Sequence, residues 1–226
     1  MDVDKSKASR ENLLRILVDG CASLEVSISS EIQNRLVDYV LLLERWNQAF
    51  NLTAVRDPLN MMSRHVLDSL SILPWVHGAR CIDVGTGPGL PGLVLAIAEP
   101  GRRHWTLLDS NGKKVRFLRQ AVMELGLENI EIIQERVEKF QPPEKFDTLT
   151  SRAFAELGDM ARLSQHLLAD KGGRMLAMKG AFREIEREIA VLAGDYAVEV
   201  ISLPVAGQPD TVQAERHLVI LEPRHR

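Results

Sequence analysis

The sequence predicts an α/β fold with a mainly parallel sheet, preceded by a helical N-terminal region. Three observations predict it. A short apolar run, Cys81 to Val84, feeds a turn with glycines at 85, 87, 89 and 92, and an apolar, helix-compatible pattern resumes at Leu93. That is the opening of a nucleotide-binding βαβ unit. Downstream, strand-like and helix-like segments alternate to the end of the chain. Upstream, from Ser9 to Val76, no strand-like alternation occurs. The 226 residues therefore divide into a helical region, 1–76, and an α/β domain, 77–226, a length that suits one domain with an extension and a full core.

Composition narrows the class. At 45% hydrophobic and 26% charged the chain is globular rather than disordered. A net charge of −3 supplies no global field for nucleic acid, so any RNA-binding surface must be local. Cys21 and Cys81 lie far apart without ligand-like spacing, which argues against a disulfide framework or a metal site and fits a reducing compartment. No stretch reaches the length of a membrane span, and the polar start Met1 to Glu11 lacks a secretory apolar segment. A soluble, cytoplasmic, monomeric protein without a membrane partner is expected.

The N-terminal elements follow in order. Leu13, Leu14, Leu17 and Val18 form one amphipathic pattern, expected to end near Gly20. Ser30 with Gln33 reads as a capping box for a second helix, which carries Ile32, Leu36, Val40, Leu43 and Trp46 on one face. Asn47 to Asn51 break that pattern. Asp57 then reads as an N-cap with Pro58 at the first helical position, and a third helix is expected to run to about Leu73. It carries Arg64, His65, Asp68 and Ser69 as polar pairs at i,i+4 spacing. One reading is a solvated face with an Arg64–Asp68 pair, in the less favourable order for a helix. The other is a polar patch aimed at the nucleotide site or its substrate. Composition alone favours the first.

The glycine-rich turn is more specific. A dinucleotide fingerprint, Gly-x-Gly-x-x-Gly, would need glycine at position 90, where Leu90 stands. Asp-x-Gly-x-Gly-x-Gly across 83 to 89 does fit, the form seen in class I S-adenosylmethionine-dependent methyltransferases. Asp109 lies 20 residues beyond Gly89 and ends the run from Trp105. An acid there can accept hydrogen bonds from ribose hydroxyls. The N-terminus of the following helix is expected to add free N–H donors beneath the ligand.

Further on, Asn111 to Leu125 is a helix with Val115, Leu118, Val122 and Leu125 inward, and Ile130 to Gln134 is the third strand. Phe146 to Thr150 is the fourth strand, with a helix from Ala155 to Leu168 after it. Arg174 to Lys179 is the fifth, opened by Gly172-Gly173, and the helix Phe182 to Leu192 follows. Val198 to Leu203 and His217 to Leu221 have no helix between them and are expected to pair antiparallel. Seven strands ending in such a pair outline a Rossmann-like class I methyltransferase domain.

Ligands in open α/β sheets bind beyond the C-terminal strand ends. That rule selects Gly85 to Leu90, Asp109, Glu135 to Glu138, Ser151-Arg152 and Lys179-Gly180. Lys113, Lys114, Arg116 and Arg119 occupy the first turns of a helix, where the macrodipole mildly disfavours cations. Arg183, Arg216 and His217 flank the same edge. Phosphate contacts or a solvated face both explain these charges.

The chemistry is narrowed by what is missing. There is no serine or cysteine nucleophile motif, no His-Glu-x-x-His, and no carboxylate pair at diagnostic spacing. Pro142-Pro143 precedes the fourth strand, whereas the Pro-Pro motif of amino-group methyltransferases follows it. Neither cysteine stands where RNA cytosine-C5 enzymes keep their nucleophile. A ring nitrogen with an in-plane lone pair, such as guanine N7, needs no strong general base. Catalysis would then rest on in-line positioning and exclusion of water.

Over residues 47 to 221 the chain resembles the bacterial 16S rRNA guanine-N7 methyltransferases once called glucose-inhibited division protein B. The matching stretches include Asn51 to Ala54, Arg64 to Leu70, Asp83 to Gly92, Leu107 to Ser110, Lys114 to Leu118 and Arg136 to Glu138. They continue with Ser151-Arg152-Ala153-Phe154, Met178 to Gly180 and Glu215 to Leu218. The resemblance implies S-adenosylmethionine as donor and 16S ribosomal RNA of the small subunit as acceptor, at a guanine N7 in the decoding-region loop. It implies donor contacts at Gly85, Gly87 and Leu90, ribose contacts at Asp109, and adenine contacts near Val137 and Glu138. Arg152 would approach the methionine end or the target base. Asn51, Arg64 and His65 become candidates for closing the substrate side, which reverses the preference for a solvated face. Lys113, Lys114, Arg116 and Lys179 become candidates for RNA contacts, and no residue is implied as a general base. A methyltransferase for a small molecule or a protein, and a nucleotide-binding regulator, are the alternatives. The first differs in its acceptor and the second in having no turnover.

Overall fold

The computed structural model describes residues 2–152, 156–192, 194–205 and 215–224. Ala153 and Phe154 of the Ser151 to Phe154 stretch, and Ala155 at the expected start of a helix, lie outside them.

Helix α1 (Asp2–Ser23) does not end at Gly20. A Cβ at Gly20 would stand 2.2 Å from Leu67 Cδ1. The glycine lets two helical segments approach closely rather than terminating one. Helix α2 (Ser30–Phe50) is capped by Ser29, not Ser30: the Ser29 hydroxyl accepts from Ile32 N–H at 3.3 Å. The expected capping box is not formed: with Ser29 as the cap, the third helical position is Ile32, and the Gln33 amide donates to the Ile28 carbonyl. The helix also runs through the expected break. Asn47 is a buried helical residue whose amide donates to the Val55 carbonyl and accepts from Thr53 N–H, so it fastens the following loop. Asn51 closes the helix at φ +50°, a left-handed position that asparagine tolerates.

The third helical stretch starts as expected, with Asp57 accepting from Leu59 N–H and Pro58 opening α3 (Pro58–Met61). It is not one continuous α-helix. Met62–Leu67 is a π-helix, α4 (Asp68–Leu70) follows, and a 3₁₀ turn occupies Leu73–Trp75. The i→i+5 spacing of a π turn is uncommon and concentrates at functional sites.

The sheet comprises β1 (Arg80–Val84), β2 (His104–Leu108), β3 (Ile130–Ile133), β4 (Thr148–Arg152), β5 (Arg174–Lys179), β6 (Tyr196–Ser202) and β7 (His217–Pro223). Their order is β3-β2-β1-β4-β5-β7-β6, parallel except for β7, which runs antiparallel to both β5 and β6. The fourth strand starts two residues later than expected and extends to Arg152. Phe146 makes only an isolated bridge with Leu168. Helix α5 (Gly92–Ala98) follows β1, α6 (Gly112–Glu124) follows β2, α7 (Leu157–Ser164) follows β4 and α8 (Phe182–Leu192) follows β5. Helix α7 is shorter than expected because its last turn tightens to 3₁₀ at Gln165–Leu167.

Alternation along β1 sends Ile82 and Val84 into the core shared with Leu157, Met160 and Ile185 of α7 and α8. Asp83 points the other way, toward α5. That second face is covered by a core joining Leu13 and Leu17 of α1, Leu36 and Leu43 of α2, Met61 to Leu67, Leu93 and Ile97 of α5, and Phe117 and Leu118 of α6. Each fully buried leucine there contributes about 1.5–3 kcal/mol, so the N-terminal helices are packed into the sheet layer. No helix among the described residues is long and apolar enough to cross a membrane. Both cysteines are buried and free, and burial pushes the thiols of Cys21 and Cys81 up to about 11 and 12.

Candidate active site

Strands β1 and β4 are neighbours, and strand order reverses between them, so a crevice opens at their carboxyl ends. Two cavities occupy it. The first, of about 240 Å³, is lined by Val84 and Gly85 after β1, Asp109 and Ser110 after β2, and Glu135 to Glu138 after β3. The second, of about 380 Å³, is lined by Arg64, His65, Asp68, Arg152, Lys179 and Arg216, with Val55, Met178 and Gly180. Ser151 donates to the Val84 carbonyl at 3.0 Å and ties the two strand ends together.

The glycine-rich loop is held by two carboxylates. Asp83 is fully buried. Its Oδ2 accepts from Gly92 N–H at 2.8 Å and the Thr86 hydroxyl at 2.6 Å, and its Oδ1 accepts from Thr150 at 2.9 Å. Burial pushes its carboxyl up to about 6, against the pull of those hydrogen bonds. Asp109 accepts from Gly87 N–H at 2.9 Å and Asn111 N–H at 2.8 Å, with Lys114 Nζ 3.6 Å away. Gly87 and Gly89 sit at φ +62° and +102°, conformations that a side chain would strain. From the helical region, the Tyr39 hydroxyl donates to the Pro88 carbonyl at 2.9 Å.

The backbone amides of this loop are already committed. Gly85 and Thr86 N–H bond the Leu108 carbonyl, Gly89 and Leu90 N–H bond the Thr86 carbonyl, and Gly87 and Gly92 N–H bond the two aspartates. Pro88 and Pro91 have none. Leu93 N–H returns to Gly89. The row of free loop donors expected beneath the ligand is therefore not formed, because the N–H groups of Gly85, Thr86, Gly87, Gly89, Leu90 and Gly92 are bonded within the protein. A phosphate needs such donors. This cleft suits a ligand with hydroxyls and an apolar or aromatic part but no phosphate.

Among the expected donor contacts, Gly85, Asp109, Val137 and Glu138 come together at the first cavity, and Gly87 is bonded to Asp109 behind it. Leu90 does not join them: it is 2% exposed and lies in the core beneath α2. Arg152 lines the second cavity. Its guanidinium donates to the Arg64 carbonyl at 3.0 Å and pairs with Asp68 at 3.3 Å.

His65 is 5% exposed, with Nε2 2.9 Å from the Thr53 hydroxyl and Nδ1 3.4 Å from both terminal nitrogens of Arg152. Burial, then the adjacent Arg152 cation, lower its pKa to about 4, so the ring is neutral at physiological pH. The expected Arg64–Asp68 pair is not formed. Arg64 faces solvent, while Asp68, 11% exposed, takes Arg152 and Arg216 from the sheet edge. Lys179 is bound by Glu188 at 2.9 Å, and the same carboxylate receives Leu157 N–H at the start of α7. Lys113 and Arg116 are exposed on α6, whereas Lys114 turns toward Asp109. Asn51 is exposed, accepts from Arg56, and stands outside the second cavity. Arg216 and Asp68 were visible in the sequence as charges, but their pairing across 148 residues had no local signal.

The family model for "rRNA small subunit methyltransferase G" matches residues 32–223. A curated "Ribosomal RNA small subunit methyltransferase G" from Laribacter hongkongensis is 51% identical over 213 residues, 93% of this chain and 98% of that protein. One of the same description from Yersinia pseudotuberculosis is 50% identical over 87% of this chain and 93% of its own length. Among solved structures, an S-adenosylmethionine-dependent O-methyltransferase from Thermotoga maritima superimposes with a TM-score of 0.56. It is 17% identical and covers 70% of this chain and 66% of that one, a likeness of fold.

Proposed function

The chain belongs to the rRNA small subunit methyltransferase G family, and from that premise we propose that it methylates N7 of one guanine in the decoding-region loop of 16S ribosomal RNA, with S-adenosylmethionine as donor. The donor would lie in the first cavity, against Gly85, with its ribose hydroxyls toward Asp109 and its adenine toward Val137 and Glu138. When bound, it supplies an electrophilic methyl group on a sulfonium. It carries ribose and adenine but no phosphate, which fits a glycine-rich loop whose amides are internally satisfied.

The second cavity would receive the nucleotide. Arg64, Arg152, Lys179 and Arg216 give it a local positive character that the net charge of −3 does not provide. One observation carries the choice of acceptor. Among the described residues, the groups in this cavity that could take a proton are otherwise engaged: His65 is held neutral, its Nδ1–H donating to the Arg64 carbonyl at 3.0 Å and its Nε2 facing the Thr53 hydroxyl, and Asp68 is paired with two arginines. Such a site suits a nucleophile that needs no deprotonation, and guanine N7 offers an in-plane lone pair. The protein's contribution is then positioning and exclusion of water, for which effective concentration and orientation supply roughly 7–11 kcal/mol of barrier lowering. The N-terminal helices (1–76) would act as a scaffold for the acceptor side, since they contribute Arg64, His65 and Asp68, and residues 77–226 as the donor-binding domain.

The test is transfer of labelled methyl from S-adenosylmethionine to small ribosomal subunits from a strain lacking the activity, with large subunits, transfer RNA and bulk protein as controls. Nuclease digestion and mass spectrometry then locate the product. Label in a single N7-methylguanosine of 16S RNA is expected. Label in another base, or in protein, overturns the acceptor assignment.

A further inference from the structure

Among the described residues that line the second cavity, Asp68 is the one carboxylate, beside four cations and a neutral histidine. It does not sit at the surface as a counterion. Its side chain is 11% exposed, its Oδ2 is 3.3 Å from Arg152 and its Oδ1 is 3.2 Å from Arg216. Arg152 comes from the end of β4, and Arg216 from the residue before β7. Asp68 comes from the short helix that follows the π-helix. Each arginine has a second anchor, the Arg64 carbonyl for Arg152 and the Glu215 carbonyl for Arg216. Three segments distant in sequence thus converge so that one half-buried carboxylate holds two guanidinium groups.

We propose that Asp68 is the positioning residue of the acceptor side. It presents Arg152 and Arg216 as a preformed cationic pair to a phosphate next to the target guanine, and it weakens RNA binding in doing so. The inference rests on the reading of the second cavity as the RNA site. Its logic is physical. Without the clamp the two guanidiniums repel each other, and each side chain regains rotamer freedom about its remaining anchor. The clamp keeps both in one geometry before RNA arrives, which is where catalysis by positioning gains its rate. The same carboxylate lowers the charge of the cavity by one, and phosphate affinity follows charge. Asp68 should therefore oppose binding and favour turnover, two effects of opposite sign.

The experiment is Asp68→Asn in the full-length protein, assayed with purified small subunits and S-adenosylmethionine. Expected are RNA affinity tighter than wild type, a salt dependence steeper by up to roughly one in log–log slope, and kcat reduced roughly tenfold to a hundredfold. Donor affinity is unchanged, because Asp68 does not line the first cavity. Asp68→Glu keeps the charge and recovers part of kcat. A residue that only supports the fold would instead lose RNA affinity, donor affinity and kcat together with melting temperature, and that pattern overturns the proposal. So does an unchanged kcat. Should Asp68→Asn fail to fold, Arg216→Gln breaks the same contact from its other side. It should lower kcat without moving donor affinity, and an unaltered kcat again overturns the pair. Absence of any methyl transfer by the wild-type protein would instead sink the underlying reading of the cavity.

Discussion

Replacing Asp109 with alanine removes two things at once, and the structure separates them. The carboxylate accepts from Gly87 N–H at 2.9 Å and from Asn111 N–H at 2.8 Å, while only 7% exposed. Gly87 is buried, so its orphaned N–H costs about 1–3 kcal/mol, whereas exposed Asn111 can turn to water and loses about 0.5–1.5 kcal/mol. A total near 3 kcal/mol corresponds to a fall of roughly 6–12 °C in melting temperature for a chain of this size. The proposed ribose contacts would add a second loss, seen only in donor affinity, of about 1.5–3 kcal/mol, or roughly 10- to 150-fold in Kd. Asp109→Asn retains a carbonyl oxygen for Gly87 and should fall between the two. Thermal melts with and without S-adenosylmethionine, together with calorimetric titration of the donor, measure both parts. A melting temperature within ~1 °C of wild type would refute the bracing of the loop. Unchanged donor affinity despite a lowered melting temperature would refute the ribose contact alone.

Three more outcomes follow from the same geometry. Tyr39→Phe leaves the Pro88 carbonyl unpaired in a buried setting; a stability loss of about 1–3 kcal/mol, with weaker donor binding, is expected in denaturant titration and calorimetry. Gly20→Ala sets about 1 kcal/mol of helix propensity against a Cβ 2.2 Å from Leu67 Cδ1, an overpacking worth about 1–3 kcal/mol. A lower melting temperature is therefore expected, and a higher one would contradict the close helix approach. In acid, two buried groups oppose each other. Asp83, raised from 3.8 to about 6, contributes stability that is fully present below pH 3.8 and lost as pH rises through 6. His65, lowered from 6.5 to about 4, contributes stability present above pH 6.5 and lost as pH falls through 4. At about 1.36 kcal/mol per pH unit each is on the order of 3 kcal/mol, and between pH 6 and 4 they nearly cancel. Asp83→Asn should make stability fall more steeply on acidification over that range and His65→Gln less steeply, read from urea midpoints; parallel curves for both variants would show that neither group titrates as described.

Much of the fold was legible because periodicity and turn chemistry are local. Strand β5 and helix α8 have the boundaries that their apolar patterns mark. The spacing of the glycine-rich loop and Asp109 marks a ligand site, and Gly85 and Asp109 do meet at one cavity. Misplaced ends had local causes too: a serine one residue earlier capped α2, and a glycine mistaken for a terminator proved to be a contact point.

The second cavity, the proposed acceptor side, was another matter. Its residues appeared in the sequence as unremarkable charges on a helix, with an i,i+4 partner at hand for Asp68. Only the packed structure gives that carboxylate to Arg152 and Arg216, which lie 84 and 148 residues away. The π-helix, the neutral state of His65 and the committed amides of the glycine-rich loop have the same origin. Alternation and glycine spacing act over a few residues and can be read along the chain. Burial, and the choice of which opposite charge a buried group takes, are decided by which segments meet in space.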